Sequence, residues 1–578
     1  MKKLFYCAFI ALAILTAGTA VAQVSHGGEP LFNNGNAKAA ANIHYLPAID
    51  NNVYFQQDID GVKNGHPMRI GIGQECDIDV LKEATVTKDA NGTHFTMGVE
   101  SPNATFVWVD FKKYVLPEGA ELFIYDRTGE LVLGSFINTD VKADGRFYTQ
   151  SIPGSIAFIE YNVPAGVEPG ELQIGCIGHG YKDVFQMIGD TYEEAEAEMK
   201  GPHGSAEGTC HINVACPEGD PWRDQIRSVV AIEIRANHNM GGYPLSFMCT
   251  GSLVNNTRQD RTPYVLSAFH CQDTEGMLEE LRESYPNIEI TSIDFVSYFL
   301  YSLNTCNGTL GNGNRSVTGA DIVAKYNYNT GSDMLLLRLQ SDVPDTYKPY
   351  YAGWDRRAVM TPEPGVCIHH PGGDWKKISF AKSINSEGNF YKVGWFTGSE
   401  NKGVTEQGSS GSPIFNAEKR IIGQLYAGSS SCVRVPGDYG HQGPSGTDYY
   451  GRFSVSWNGG GLSTNRLKTW LDPDNTDVSY MDGLNYTDDS ESINPVETKS
   501  NHLAIYPNPT SGMVNFDIDF LGMVDYKVFD MTGRCVKEGS TVLTSTVQSV
   551  DIRELPKGNY TMTVRAGNKT WTGMVVKQ

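Results

Sequence analysis

A serine set between glycines, Gly408-Ser409-Ser410-Gly411-Ser412-Pro413, is the stretch that most limits what this chain can fold into. A hydroxyl alone is a poor nucleophile; it needs a base to take its proton and donors to hold a developing oxyanion. Glycines on both sides let the backbone turn sharply and bring N–H groups to one point. Ser410 is therefore a candidate nucleophile, with the N–H groups of Gly408 and Ser410 as candidate oxyanion donors. Turns of this composition also occur without function, so the string needs partners elsewhere in the chain.

Two partners lie upstream. The strand-like run Tyr264–Ala268 leads into Phe269-His270-Cys271, and Asp333 stands 63 residues after His270, at the mouth of the apolar run Met334–Leu339. Ser410 follows 77 residues later. Singly, a histidine beside a cysteine reads as structural and an aspartate before a strand reads as a turn residue. Jointly they supply a base, its orienting acid and a nucleophile in the chain order His, Asp, Ser. Subtilisins and α/β-hydrolases use other orders.

At 578 residues the chain should hold three or four domains. It opens as a secretory signal: Lys2 and Lys3, an apolar run, then Ala20-Val21-Ala22, with cleavage expected after Ala22. No later apolar stretch is long enough to span a bilayer as a helix. A formal net charge of −21 and the lack of a basic patch argue against nucleic acid as partner. Eleven cysteines without CxxC pairs, in an exported chain, point to disulfides and not to zinc. His369 and His370 are adjacent, so on a strand they point to opposite faces, and no acidic cluster stands at ligand spacing. No catalytic metal and no cofactor are expected.

The strings CTGSLVNNT (Cys249 onward), AGWDRR (Ala352–Arg357), IHHPGGD (Ile368–Asp374), GVTEQGSSGSP (Gly403–Pro413) and WLDP (Trp470–Pro473) resemble the bacterial lysyl endopeptidases, secreted trypsin-fold serine proteases that cut after lysine. The resemblance runs from about Gly201 to Asn485. It implies His270 as general base and acid, Asp333 as its orienting partner and Ser410 as nucleophile, with the oxyanion held by Gly408 and Ser410. It also implies the disulfides Cys210–Cys432, Cys216–Cys306 and Cys249–Cys271. Cys367 and Cys535 are left over, expected free and buried, and Cys76 and Cys176 are candidates to pair with each other.

In trypsin the acid that binds the substrate cation lies six residues before the nucleophile; here that place is Val404. The resemblance points instead to Asp448 as the carboxylate that meets the lysine ammonium. A buried carboxylate at fixed depth favours a compact charge on a long stem over a planar guanidinium. Glu406 is the rival acid. Two aromatics are also implied at the substrate cleft: Trp395, and Tyr426 where the family pattern has a histidine. That departure bears on how strictly lysine is preferred over arginine.

The flanking regions read differently. Residues 23–200 show short alternating strands, such as Thr105–Asp110 and Glu121–Tyr125, with turns such as Asp126–Gly129, and end in an acidic helix-favouring run, Tyr192–Lys200. Their place before the protease-like region suggests a propeptide that assists folding and blocks the cleft, released by self-cleavage between Lys200 and Gly201. Residues 486–501 turn polar and acidic and read as a linker. Beyond them, YPNPTSG (from Tyr506), Met531–Arg534, Lys557–Tyr560 and the terminal Val575–Gln578 resemble the C-terminal sorting domain of the type IX secretion system. That implies passage across the outer membrane by that machinery, and release or attachment at the surface.

The expected fold is mainly β. A signal peptide (1–22) and β-rich propeptide (23–200) precede a chymotrypsin-like double β-barrel (201–485), a linker (486–501) and a small β-sandwich (502–578). The expected activity is hydrolysis of peptide bonds after lysine through an acyl-enzyme, with protein and peptide substrates and the chain's own propeptide as partners. A broader protease that also takes arginine, and a non-catalytic adhesin on the same fold, are the alternatives. A histidine base implies activity that falls as pH drops below neutrality.

Overall fold

The computed structural model describes residues 25–184, 210–486 and 501–578, apart from the short stretches 34–37, 39–40, 64–67, 143–144, 239–243, 274–286, 307–310, 313–314, 359–364, 397–401, 435–441, 518–521, 532–533, 544–546 and 567–568. The signal sequence, the run Tyr192–Lys200, the Lys200–Gly201 bond and the linker lie outside the described residues. The chain divides into two units, ending and beginning at Tyr486 and Thr487.

Three strands of the N-terminal region matter below: β1 (Met68–Asp79), β2 (Val109–Val115) and β3 (Glu171–Gly180). The first barrel follows with β4 (Val229–His238), β5 (Leu245–Leu253), β6 (Tyr264–Ala268), β7 (Ile290–Phe299), β8 (Ala320–Tyr326) and β9 (Met334–Leu339). These six run in the order β7-β4-β5-β6-β9-β8. The second barrel comprises β10 (Val366–His369), β11 (Lys377–Glu387), β12 (Phe390–Trp395), β13 (Pro413–Phe415), β14 (Ile421–Gly428) and β15 (Thr447–Arg452). Its order is β13-β10-β11-β12-β15-β14, and β14 pairs back onto β13, which closes the barrel and leaves these six no free edge. Two six-stranded antiparallel barrels in tandem are the chymotrypsin-like architecture.

β5 is buried along its whole length, although strand residues alternate between two faces. Leu245, Phe247, Cys249 and Leu253 enter the first barrel's core. Met248, on the other face, joins a second cluster with Ala231, Val296, Tyr298 and Tyr301 of the barrel region and Met68, Ile70, Phe106, Trp108, Tyr148 and Val184 of the N-terminal region. β1 adds itself to β5, Leu245 opposite Ile72 and Met248 opposite Met68, so one sheet runs through both regions. Two covered faces leave no polar side chain of this strand in water, so its Ser246, Thr250 and Ser252 hydroxyls are each met by hydrogen bonds.

Charged groups are sealed into the same contact. Glu233 is fully buried, bound by Arg235, by the Ser151 hydroxyl at 2.9 Å, by Tyr298 at 2.7 Å and by Ser246 at 2.9 Å. Arg235 also donates to the Thr149 carbonyl at 2.7 Å and lies over the Trp108 ring. Lys142 and Arg146 both reach Asp294. The N-terminal region has a core of its own as well, built on the strands Gly92–Glu100, Glu121–Tyr125 and Ile156–Pro164. Its turn at Asp126 is as expected, the carboxylate accepting from the Gly129 N–H at 2.6 Å.

Cys76 and Cys176 are free, which corrects the pairing considered above. Cys176 stands opposite Glu75 across the β1–β3 ladder, so Cys76 points to the other face of the sheet. The disulfides Cys216–Cys306 and Cys249–Cys271 are formed. Cys210 is disulfide-bonded too, while the side chain of Cys432 lies outside the described residues.

Cys367 is free and buried as expected. Cys535 is free but exposed, a second correction: it starts the edge strand Cys535–Leu543 of a five-stranded sheet. With a three-stranded partner sheet and a shared apolar core, that sheet makes up the C-terminal unit.

Candidate active site

The first barrel supplies the base and the acid. His270 sits in the 3₁₀ turn Phe269–Gln272 that ends β6, and the bond from Cys271 to Cys249 ties that turn to β5. Asp333 immediately precedes β9, which pairs with β6, so the sheet register brings the two together. The His270 Nδ1 lies 2.7 Å from Asp333 Oδ2, and the His270 N–H donates to Oδ1 at 3.0 Å. The Asp333 carbonyl accepts in turn from the Phe269 N–H at 3.0 Å. Asp333 adopts φ +55, a left-handed conformation that aspartate tolerates better than most residues.

Asp333 is fully buried, and burial pushes its carboxyl up from 3.8, opposed by His270. Its hold on Nδ1 leaves Nε2 as the imidazole's free nitrogen; among the described residues that atom makes no hydrogen bond.

The second barrel supplies the serine, in the turn that enters β13. Gly408 and Gly411 have φ +84 and +81. The turn is pressed against the end of β6: a Cβ at Gly411 would come within 2.2 Å of Ser267 Oγ and 2.9 Å of the Ala268 N. Carbonyls on this turn are each held away from the cleft. Gln407 accepts from the Gly372 N–H at 2.6 Å, Ser409 from the Ser412 N–H at 2.9 Å, and Ser410 from the Thr250 N–H at 2.8 Å. In a trans peptide C=O and N–H point oppositely, so fixing the Gln407 and Ser409 carbonyls turns the Gly408 and Ser410 N–H groups the other way. Neither N–H has a hydrogen-bond partner among the described residues.

Thr250, which sequence reasoning passed over, is central to this. Its hydroxyl donates to the Gly408 carbonyl at 2.8 Å and accepts from the His370 N–H at 3.1 Å. It neighbours Cys249 in the string CTGSLVNNT, where a threonine between a cysteine and a glycine carries no local sign of that role.

Asp448, on β15, is buried behind the same loop. It accepts from the Trp395 indole N–H at 2.6 Å, from the Ser430 hydroxyl at 2.6 Å and from the Thr405 hydroxyl. Gly428 leaves room for the carboxylate, since a Cβ there would fall 1.9 Å from Oδ1. Burial raises its carboxyl above 3.8, and the donors from Ser430, Thr405 and Trp395 oppose that. No cation pairs with it among the described residues. Glu406, the rival acid, lies 3.2 Å from the buried His211 instead.

The two aromatics have separate surroundings. Trp395 is buried against Asp448 and is not the ring beside Tyr426. Tyr426 stacks on Tyr328 with centroids 5.3 Å apart, meets Phe390 at 5.0 Å and stands edge-on to His270 at 6.1 Å. Trp395 ends β12, where pairing with β15 directs its indole to Asp448, whereas Tyr426 is the extra residue of the β14–β15 bulge, between Leu425 and Ala427.

Residues 204–451 match the family model described as lysyl endopeptidase, C-terminal domain. Over that region the chain is lysyl-endopeptidase-like. A lysyl endopeptidase of Pseudomonas aeruginosa is 25% identical over 445 residues, covering 72% of this chain and 88% of that protein. The N-terminal region is therefore partly included in the match, and the protein is a peptidase.

Among solved structures, the active form of the Rv3671c protease from M. tuberculosis covers 43% of this chain and 88% of its own at 13% identity. Its TM-score of 0.24 is too low to add weight to the strand pairing. Residues 504–578 match a secretion system C-terminal sorting domain. The protein is exported, to be secreted or held at the surface, and no helix among the described residues is long and apolar enough to cross a membrane.

Proposed function

We propose that this protein is a serine endopeptidase that cuts after lysine. Ser410 Oγ attacks the scissile carbonyl while its proton passes to His270 Nε2; Asp333 holds the tautomer and stabilises the imidazolium. The oxyanion is held by the Gly408 and Ser410 N–H groups. The imidazolium gives its proton to the departing amine, and water, deprotonated by the same imidazole, releases the acyl group and restores Ser410.

The observation that carries lysine preference is Asp448: a buried carboxylate, held by three side-chain donors and answered by no cation among the described residues. Leaving a charge so placed is costly unless a ligand completes it. A lysine ammonium on its four-carbon stem supplies that charge.

The N-terminal region acts as a propeptide in this reading. It covers an apolar strip of the first barrel, Met248, Val296, Tyr298 and Tyr301, and completes its sheet at β5. Its described contacts are with the first barrel and the turn at Gly373–Trp375 and not at His270, Ser410 or Asp448, so templating of the barrel is better supported than occlusion of the cleft. Self-cleavage after Lys200 fits the same specificity.

Peptides released from a denatured protein mixture, sequenced by mass spectrometry, test the activity. Cuts after lysine that vanish in Ser410→Ala are expected, and equal cutting after arginine would overturn the lysine assignment. N-terminal sequencing of the mature enzyme should begin at Gly201, and Ser410→Ala should accumulate uncut.

A further inference from the structure

The loop from Val404 to Ser409 shapes the candidate oxyanion hole, yet two of its backbone groups are met only by side chains. The Val404 carbonyl accepts from the Ser379 hydroxyl at 3.1 Å, and the Glu406 N–H donates to the Ser409 Oγ at 3.2 Å. Between these serines lies His369, fully buried at the end of β10. Its Nδ1 is 2.7 Å from Ser409 Oγ and its Nε2 is 3.0 Å from Ser379 Oγ.

The direction of every bond in this relay is fixed. A carbonyl only accepts, so the Ser379 proton goes to Val404, and Ser379 Oγ must accept from His369. Nε2 then carries the imidazole proton and Nδ1 is a bare acceptor. Ser409 Oγ accepts from the Glu406 N–H and donates its own proton to Nδ1. Both ends of the loop are thus clipped to one neutral ring, with no unpaired donor or acceptor. His370 next door contrasts with this: its Nδ1 donates to the Asp374 carbonyl at 2.9 Å and its Nε2 has no partner.

We propose that His369 is a positioning residue for the reaction described above, acting through Ser409 to keep the Gly408 and Ser410 N–H groups convergent on the oxyanion. The proposal rests on that reading of the site. Ser409 lies between the two donor residues, so rotation of its side chain away from His369 frees the peptides on either side. Asp448 keeps Trp395 and Ser430, which lie outside the loop, whether or not His369 is present, so the relay touches lysine binding only through Thr405, the third donor.

The test uses the full protease, a lysyl anilide as substrate and n-butylammonium as a competitive ligand of the lysine pocket. With slow acylation, KM follows substrate binding. His369→Leu and Ser409→Ala should each lower kcat by about 10- to 1,000-fold, up to the loss of an oxyanion donor. KM and the butylammonium inhibition constant should stay within about twofold. The double variant should be no worse than His369→Leu, because both break one relay. His369→Gln, which offers an acceptor and a donor, should recover at least about tenfold in kcat over His369→Leu.

Turnover within about threefold of the parent in both single variants overturns the proposal, as does a parallel loss of butylammonium binding. Should His369→Leu not fold, Ser409→Ala decides alone, since it deletes one hydroxyl and keeps the ring. A parent enzyme that neither cuts the anilide nor takes a fluorophosphonate at Ser410 refutes the protease reading itself. A labelled, active parent matched by its variants refutes only the role of His369.

Discussion

The indole N–H of Trp395 donates to the carboxylate of Asp448 at 2.6 Å, and it is this bond, not a ring face, that ties Trp395 to the cleft. The hydrogen bond keeps a buried charge in one orientation with its remaining capacity open to a cation.

Asp448→Asn should therefore lose lysine preference while keeping reactivity. We expect kcat/KM for a lysyl anilide to fall at least about 100-fold, the loss of one buried charge pair. The fluorophosphonate labelling rate at Ser410 should change by less than about threefold. Burial raises the Asp448 carboxyl above 3.8, so it takes up a proton at higher pH than a free aspartate. KM for the lysyl substrate should rise on acidification, earlier than an ordinary carboxylate dictates, while KM for the norleucyl analogue stays flat.

Asp333→Asn should reduce kcat by about 10⁴-fold with little change in KM, because the amide no longer fixes Nδ1–H on His270. Single-turnover acylation measured against pH distinguishes this from a folding defect.

Thr250→Val keeps shape and removes the hydroxyl that holds the Gly408 carbonyl. We expect kcat to fall about 10- to 100-fold with KM within twofold, as befits a partly released oxyanion donor. An unchanged kcat would show that the Gln407 and Ser409 anchors suffice.

Stability should rise with pH between about 6 and 9, above the window in which Asp110, its carboxyl raised to about 6 by desolvation, acts in the opposite sense, and the sign follows from burial. His369 and His370 are held well below 6.5 by desolvation, so below that pH the unfolded chain binds more protons than the folded one. Lys376 is fully buried, donates to the Ile226 and Val229 carbonyls, and is lowered from 10.5 to about 7 by desolvation. Between those two values the unfolded chain again binds the extra proton. Each group contributes up to about 1.4 kcal/mol per pH unit within its window. Denaturant midpoints of Ser410→Ala should move accordingly, and Lys376→Met should flatten the limb above pH 7.

The N-terminal region should stay bound to the protease after Lys200 is cut. Size-exclusion chromatography of processed enzyme in mild buffer should show both fragments in one peak, parted by denaturant. Trp108→Ala should weaken that association, since the ring fills the shared cluster and underlies Arg235.

The sequence by itself carried the order of His270, Asp333 and Ser410, the glycines at 408 and 411, and the alternating strands at both ends of the chain. These are local signals, because turn conformation and strand period are written in neighbouring residues. The disulfide Cys249–Cys271 was legible for a related reason: its cysteines flank one short hairpin.

Other features were decided only when distant strands settled into register. Residue order gives no sign that Cys76 and Cys176 face opposite ways, that Tyr426 meets Phe390 and not Trp395, or that Thr250 anchors a loop 158 residues downstream. A one-residue slip in β pairing moves every side chain to the other face, so such contacts belong to the folded sheet and not to any segment of it.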